Sequence, residues 1–212
     1  MAEEAGVAKS AKKKEAICRV ATRLFVEKGF EKTSIRDIAE AGNMNSSGLY
    51  YYFEDKEAIL YTILIEIMDD SLERMKEISK RDVSLKEKIY AAIDLHTEIY
   101  GAEPIRMALI AYNQKSLSPE HWDELREKQR EYSAIVRSFL AQLRDNGETA
   151  DLNPTLCTFA LFGMIQSAYL WYDPRGQVKP NELKKMFARI FTGGILVDEA
   201  ESKESVNRRQ AR

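Results

Sequence analysis

The sequence predicts an all-α protein of about nine helices, on three observations. Apolar residues recur at helical spacing in almost every segment, and no segment alternates strictly as a half-buried strand does. Of the 10 glycines and 5 prolines among 212 residues, Gly29, Gly42, Gly101 and Gly147 and Pro104, Pro119, Pro154 and Pro174 fall at the ends of the periodic stretches.

In the first helix Ile17, Val20, Ala21, Leu24 and Phe25 form one apolar stripe, and Gly29 ends it. Thr33 and Ser34 are cap-type residues ahead of a short helix, Ile35–Ala41, with Asp37 in its favourable first turn. A break at Gly42–Asn43 separates it from a second short helix, from about Asn45 to Tyr52. Asn43 occupies the position where the turn needs a left-handed residue. Asp55 opens a longer helix carrying Leu60, Ile63, Leu64, Ile67 and Met68 along one side, to about residue 79. Ser84 to Tyr100 follows, ended by Gly101, and Pro104 starts a helix that ends near Lys115. Ser118–Pro119–Glu120 opens the next, with Trp122, Leu125, Gln129, Tyr132, Val136, Phe139 and Leu143 spaced by threes and fours up to Asn146–Gly147. Pro154–Tyr172 and Asn181–Val197 are the last two, joined through Asp173–Pro174–Arg175–Gly176.

A chain of this size, 44% hydrophobic and 31% charged, buries enough surface to fold without disulfides or a structural metal. Cys18 and Cys157 stand 139 positions apart with no secretory leader ahead of them, which predicts buried thiols in a reducing, cytoplasmic setting. Two histidines 25 positions apart, His96 and His121, lack zinc spacing, and no phosphate loop or nucleophile elbow is present. No catalytic residue, metal or cofactor is therefore expected.

Charge is uneven. Residues 9–52 hold nine Lys/Arg against five acids, a net of +4, so the rest of the chain totals −6 of the overall −2. That is the footprint of one end meeting a polyanion, although a solvated helix face gives the same count. Two short helices joined by a tight turn bury little by themselves, and a helix-turn-helix explains them, its second helix entering the major groove. Ile35, Ile38, Ala39, Met44 and Leu49 form its buried side, and Asn45, Ser46, Ser47, Tyr50 and Tyr51 the outward one. Those outward groups suit phosphates, water-bridged base edges and thymine methyls, and none offers the bidentate guanine contact of an arginine. Phe53 and Tyr52 read as packing. Lys12, Lys13, Lys14, Thr33, Ser34 and Lys56 complete the expected DNA-binding set.

The run Ala21…Leu24–Phe25…Gly29–Phe30…Thr33…Ile35…Asp37–Ile38–Ala39…Leu49–Tyr50–Tyr51–Tyr52–Phe53…Lys56–Glu57 resembles the DNA-binding domain of TetR-family transcriptional regulators. One departure is Gly42–Asn43 at the turn, where the family usually has Ala-Gly. The resemblance implies a homodimeric, cytoplasmic bacterial repressor released from a pseudo-palindromic operator by a small-molecule effector. It also implies phosphate contacts from Thr33, Tyr50 and Lys56, with Asn45, Ser46, Ser47 and Tyr51 facing the groove. The expected domains are a disordered arm (1–8), the DNA-binding domain (9–54, motif about 34–53), a helical ligand-binding and dimerisation domain (55–197) and a flexible tail (198–212). The stretch Trp171–Tyr172–Asp173–Pro174–Arg175–Gly176 is similar to one in members that sense acyl-CoA thioesters, so the effector is expected to be acyl-CoA-type or another apolar molecule.

In the second half, amphipathic aromatics with a few polar groups suggest a pocket: His96, Tyr100, Arg106, Asn113, Trp122, Tyr132, Met164, Gln166 and Trp171. Ordinary core packing is the competing account of each aromatic. Residues 155–172 carry no charge, yet Thr155, Thr158, Gln166 and Ser167 argue against a membrane span. A helix apolar on nearly every side needs cover, and a second copy is the expected source, through Phe159, Gly163, Ser167, Phe187, Ile190 and Gly194. The rival to DNA binding is a helical carrier for an apolar molecule. Salt-dependent affinity for duplex DNA separates the two.

Overall fold

The computed structural model describes residues 2–102 and 116–195. Eight α-helices are present among them: α1 (Ala2–Lys28), α2 (Ile35–Ala41), α3 (Ser46–Tyr50), α4 (Lys56–Lys80), α5 (Leu85–Ala102), α6 (Pro119–Asp145), α7 (Pro154–Gln166) and α8 (Pro180–Ile195). The helix expected between Pro104 and Lys115, and the tail from Asp198, lie outside the described residues.

The ends of these helices follow local chemistry. Gly29 has φ 88 after α1, a conformation open to glycine without a Cβ penalty. The Asp55 carboxylate accepts from the Ala58 N–H at 2.8 Å at the start of α4. Before α5, Ser84 and Glu87 satisfy each other's N–H groups, at 2.9 and 3.2 Å. Asn153 caps α7 through Thr155 and Leu156, with Pro154 in the first turn.

Two expectations are corrected. Residues 1–8 were expected as a disordered arm, whereas α1 begins at Ala2. Ala, Glu and Lys, all strong helix formers, dominate Ala2–Ala16 and carry the helix backward from the buried Ile17. Pro154–Tyr172 is not one α-helix either: it tightens to a 3-10 turn over Ser167–Leu170, where the Ser167 hydroxyl donates to the Met164 carbonyl at 2.8 Å.

The chain divides into two compact units, Met1–Asp69 with Ile105–Arg126, and Asp70–Pro104 with Glu127–Arg212. Helices α4 and α6 each supply residues to both units. In the first unit Ile17, Ala21, Leu24 and Phe25 of α1 pack with Ile38, Ala39, Leu49, Ile59, Leu60 and Ile63, and Leu125 completes that core. In the second unit α5 packs on α7 and α8, around Ile89, Ile93, Leu161, Ile165, Phe187 and Phe191. No described helix is long and apolar enough to cross a membrane.

Candidate nucleic-acid interface

Helices α2 and α3 are too short to stand alone, and their ends are tied down residue by residue. Ser34 caps α2: its hydroxyl accepts from the Asp37 N–H at 3.1 Å, and Asp37 accepts from the Ser34 N–H at 2.8 Å. The Ser34 hydroxyl also donates to that carboxylate, and this bond, with those from the Ser34 N–H and Lys28, holds the Asp37 carboxyl at about 2, so the box stays ionised near neutrality. Gly42 ends α2 by donating to the Ile38 carbonyl at 2.9 Å, and Asn43 follows at φ 51. The left-handed residue expected at that position is therefore present. The Met44 N–H then returns to the Ala39 carbonyl at 2.9 Å, which turns the chain toward α3.

Asn45 caps α3, its Oδ1 accepting from the Gly48 N–H at 2.7 Å. Ile38, Ala39 and Leu49 are buried where the two helices meet, the small Ala39 side chain permitting close approach. Complete burial of Leu49 contributes about 2 kcal/mol. Because that side is committed to the core, the opposite side faces outward. Asn45 and Ser47 are exposed, Ser46 is half-buried, and Tyr50 and Tyr51 are 56% and 81% exposed. The Tyr51 ring stands edge-on against the half-buried Tyr52, centroids 5.0 Å apart.

The expected cations divide by environment. Lys12 and Lys14 are exposed and Lys13 half-buried, with the Lys14 ammonium 5.8 Å from the Phe53 ring centroid. This brings the basic run of α1 beside the end of the reading motif. The Lys56 ammonium donates to the Phe30 and Glu31 carbonyls at 2.9 and 3.3 Å and lies over the Phe30 ring. Ser34 is exposed, with its hydroxyl engaged in the cap. Thr33 is a correction: its side chain is buried, and its hydroxyl donates to the Gly29 carbonyl at 2.8 Å. It holds the turn between α1 and α2, and its hydroxyl does not face outward.

A second polar group in the same unit was not visible in the sequence. Glu57, in the first turn of α4, accepts from the Ser118 N–H at 2.9 Å, and its two oxygens lie 2.9 and 3.0 Å from His121 Nδ1. One turn further along α4, Tyr61 stacks on the His121 ring at 3.7 Å and donates its hydroxyl to Glu124 at 2.5 Å. Burial and the Glu124 carboxylate push the Tyr61 hydroxyl up to about 12, so it remains a donor. The starts of α4 and α6 are interlocked by these bonds. A serine ahead of Pro119 signals a helix start, but nothing local pairs it with a glutamate 61 positions earlier.

In the second unit the expected pocket residues part company. His96 is buried on α5, its Nδ1 3.2 Å from the Tyr132 hydroxyl and its ring stacked on Phe162 at 4.4 Å. Burial pushes the imidazole down to about 3, so it is neutral. Met164 and Gln166 are half-buried on α7. Trp122 is a correction, because it packs against the core of the first unit with the Arg126 guanidinium 5.7 Å from its ring. Trp171 is another: it is 58% exposed rather than lining an interior, with edge contacts to Tyr172 and Phe187. The Tyr100 side chain, Arg106 and Asn113 lie outside the described residues.

Of the residues expected at a subunit interface, Phe159 and Ile190 are 59% and 56% exposed, and Gly163 and Gly194 are exposed with open space where a Cβ would stand. Ser167 is half-buried. Phe187 is a correction, because it lies on the inward face of α8 with Leu183, Phe191 and Ile195. Both cysteines are free thiols, Cys18 buried and Cys157 half-buried, and burial pushes the Cys157 thiol up.

Residues 17–62 match the family model for bacterial regulatory proteins of the tetR family, and residues 82–195 match that for the tetracyclin repressor-like C-terminal domain. The chain is 32% identical to a TetR-family transcriptional regulator from Bordetella parapertussis, covering 85% of this chain and 94% of that one, with a TM-score of 0.78. It is 36% identical to a TetR/AcrR-family regulator from Thermobifida fusca, covering 86% and 98%, with a TM-score of 0.70. Among characterised sequences it is 27% identical over 178 residues to the HTH-type transcriptional repressor KstR2 of Rhodococcus jostii, spanning 83% of this chain and 87% of the relative.

Proposed function

The chain belongs to the TetR family of bacterial transcriptional regulators, and on that premise we propose that it is a homodimeric repressor, released from a pseudo-palindromic operator by a small apolar or acyl-CoA-type effector. The observation that carries the reading is the division of α3. Leu49 is wholly buried, and Asn45, Ser47, Tyr50 and Tyr51 are left on the outward side, where a major groove can receive them. The first unit is the DNA-binding part. Lys12, Lys13 and Lys14 supply charge to the phosphate backbone, with Tyr50 and Lys56 as further phosphate contacts and Ser34 at the rim.

The second copy docks on the exposed apolar residues of α7 and α8. Phe159, Ile190 and Met186 are at least 49% exposed, and the bare glycines beside them admit close helix approach. Two subunits present their α3 helices about 34 Å apart, one duplex turn. The effector binds in the second unit near the neutral His96–Tyr132 pair and Phe162, and favours a dimer geometry of different spacing through its differential affinity for the two states. Helix α4, which contributes to both units, is the connecting element.

A fluorescence-anisotropy salt titration tests the reading, using a duplex recovered by selection from a randomised pool. The logarithm of the binding constant should fall with that of salt by about 0.9 per neutralised phosphate, and replacing Lys12, Lys13 and Lys14 with Ala should flatten the slope. An affinity indifferent to salt, equal for every duplex, contradicts it.

A further inference from the structure

Resting on the proposal that α3 reads duplex DNA, we infer that Tyr51 is a specificity-determining residue that recognises the C5-methyl groups of thymines in each operator half-site. The argument is one of elimination followed by geometry. Bidentate recognition of guanine requires an arginine or lysine, and residues 45–51 contain neither. Bidentate recognition of adenine requires a carboxamide with both its oxygen and its amino group available. Asn45 is the one carboxamide in that span, and its oxygen is spent on the Gly48 N–H at 2.7 Å as the cap of a five-residue helix. Turning it toward a base would uncap α3.

Single hydroxyls remain on Ser46, Ser47, Tyr50 and Tyr51, and these serve any base. Two rings remain as discriminating features, and with Tyr50, 56% exposed, assigned to a phosphate, the Tyr51 ring is the one left for the bases. At 81% it is the most exposed large apolar side chain among the described residues, and it stands just past the last residue of α3. It is held edge-on, at 87° and 5.0 Å, by Tyr52, which is itself half-buried against the core. A ring propped in one orientation loses little rotamer freedom on binding. The apolar feature that a major groove offers such a ring is the thymine methyl.

The test replaces methyls without touching any hydrogen-bonding edge. A duplex selected from a randomised pool by the full chain is resynthesised with deoxyuridine in place of each thymine in turn, and affinities are measured by anisotropy. Wild-type protein should lose about fourfold per contacted methyl at one or two positions in each half-site. Tyr51→Ala, whose helicity should be unchanged because the side chain is exposed, should bind parent and uracil duplexes alike. Tyr51→Phe should keep the wild-type sensitivity. Equal affinity of the wild type for every uracil duplex overturns the inference, as does full sensitivity in Tyr51→Ala or its loss in Tyr51→Phe, and in those cases DNA binding itself still stands. Failure of the pool to yield any enriched duplex instead removes the DNA-reading proposal on which the inference rests.

Discussion

Protonation of His96 should set the acid limit of the folded state. In the native protein its ring is buried between Tyr132 and Phe162, and burial pushes its pKa from 6.5 to about 3. In the unfolded chain the imidazole is solvated and takes up its proton near the ordinary value. Between those limits the unfolded state holds one more proton than the native state, so stability rises with pH and falls on acidification. The contribution is fully present above 6.5 and is lost as pH drops toward about 3. Each pH unit inside that window removes about 1.4 kcal/mol, so moving from about pH 7 to pH 5 should cost about 2 kcal/mol. The depressed carboxyls Asp37, Glu77, Glu87 and Asp173 also favour folding, but theirs is lost only below their ordinary values of 3.8 to 4.5. Urea unfolding followed by circular dichroism at several pH values measures the loss. His96→Gln, which carries no titrating ring, should flatten the profile between about pH 5 and 6.5 whatever its absolute stability. An equal loss in the variant and the wild type refutes the argument.

Two further substitutions probe other parts of the account. Phe159→Glu combined with Ile190→Glu should convert the dimer to a monomer in light scattering with helicity retained, because both side chains are more than half exposed in one chain; a dimer that persists contradicts the assigned face. Thr33→Val should lower stability by about 1 kcal/mol through loss of the hydroxyl bond to Gly29, and leave operator affinity of the folded protein unchanged. A loss of tenfold or more in affinity would instead make Thr33 a phosphate ligand.

What the sequence revealed and what it hid divide along the range of the interactions. Caps act within three residues, so Ser34 with Asp37 and the left-handed Asn43 were legible from their neighbours. The outward side of α3 followed from periodicity, because Leu49 commits the helix to one orientation. Contacts between distant residues were not legible. The sequence did not show that the ammonium of Lys56, the expected phosphate ligand, is anchored on the Phe30 and Glu31 carbonyls about 25 positions away. In α8 the apolar residues recur at helical spacing, and tertiary packing divides them between two sides. Leu183, Phe187, Phe191 and Ile195 turn inward, and Met186 and Ile190 outward, a distinction that hydrophobicity alone does not make. Likewise α6 has one unbroken apolar pattern, yet Trp122 and Leu125 belong to the first core while Tyr132 and Val136 belong to the second unit. Thr33 was misread because a threonine before a helix has the same local signature whether its hydroxyl faces solvent or a carbonyl of the preceding turn.

Hydroxyl-radical footprinting of the unliganded protein on its selected duplex tests the central claim most directly. Two symmetric protected patches separated by about one duplex turn, both lost in the Phe159→Glu, Ile190→Glu double variant, are the expected result. Uniform cleavage along the duplex, or a single patch that the double variant leaves intact, would contradict a paired reading head.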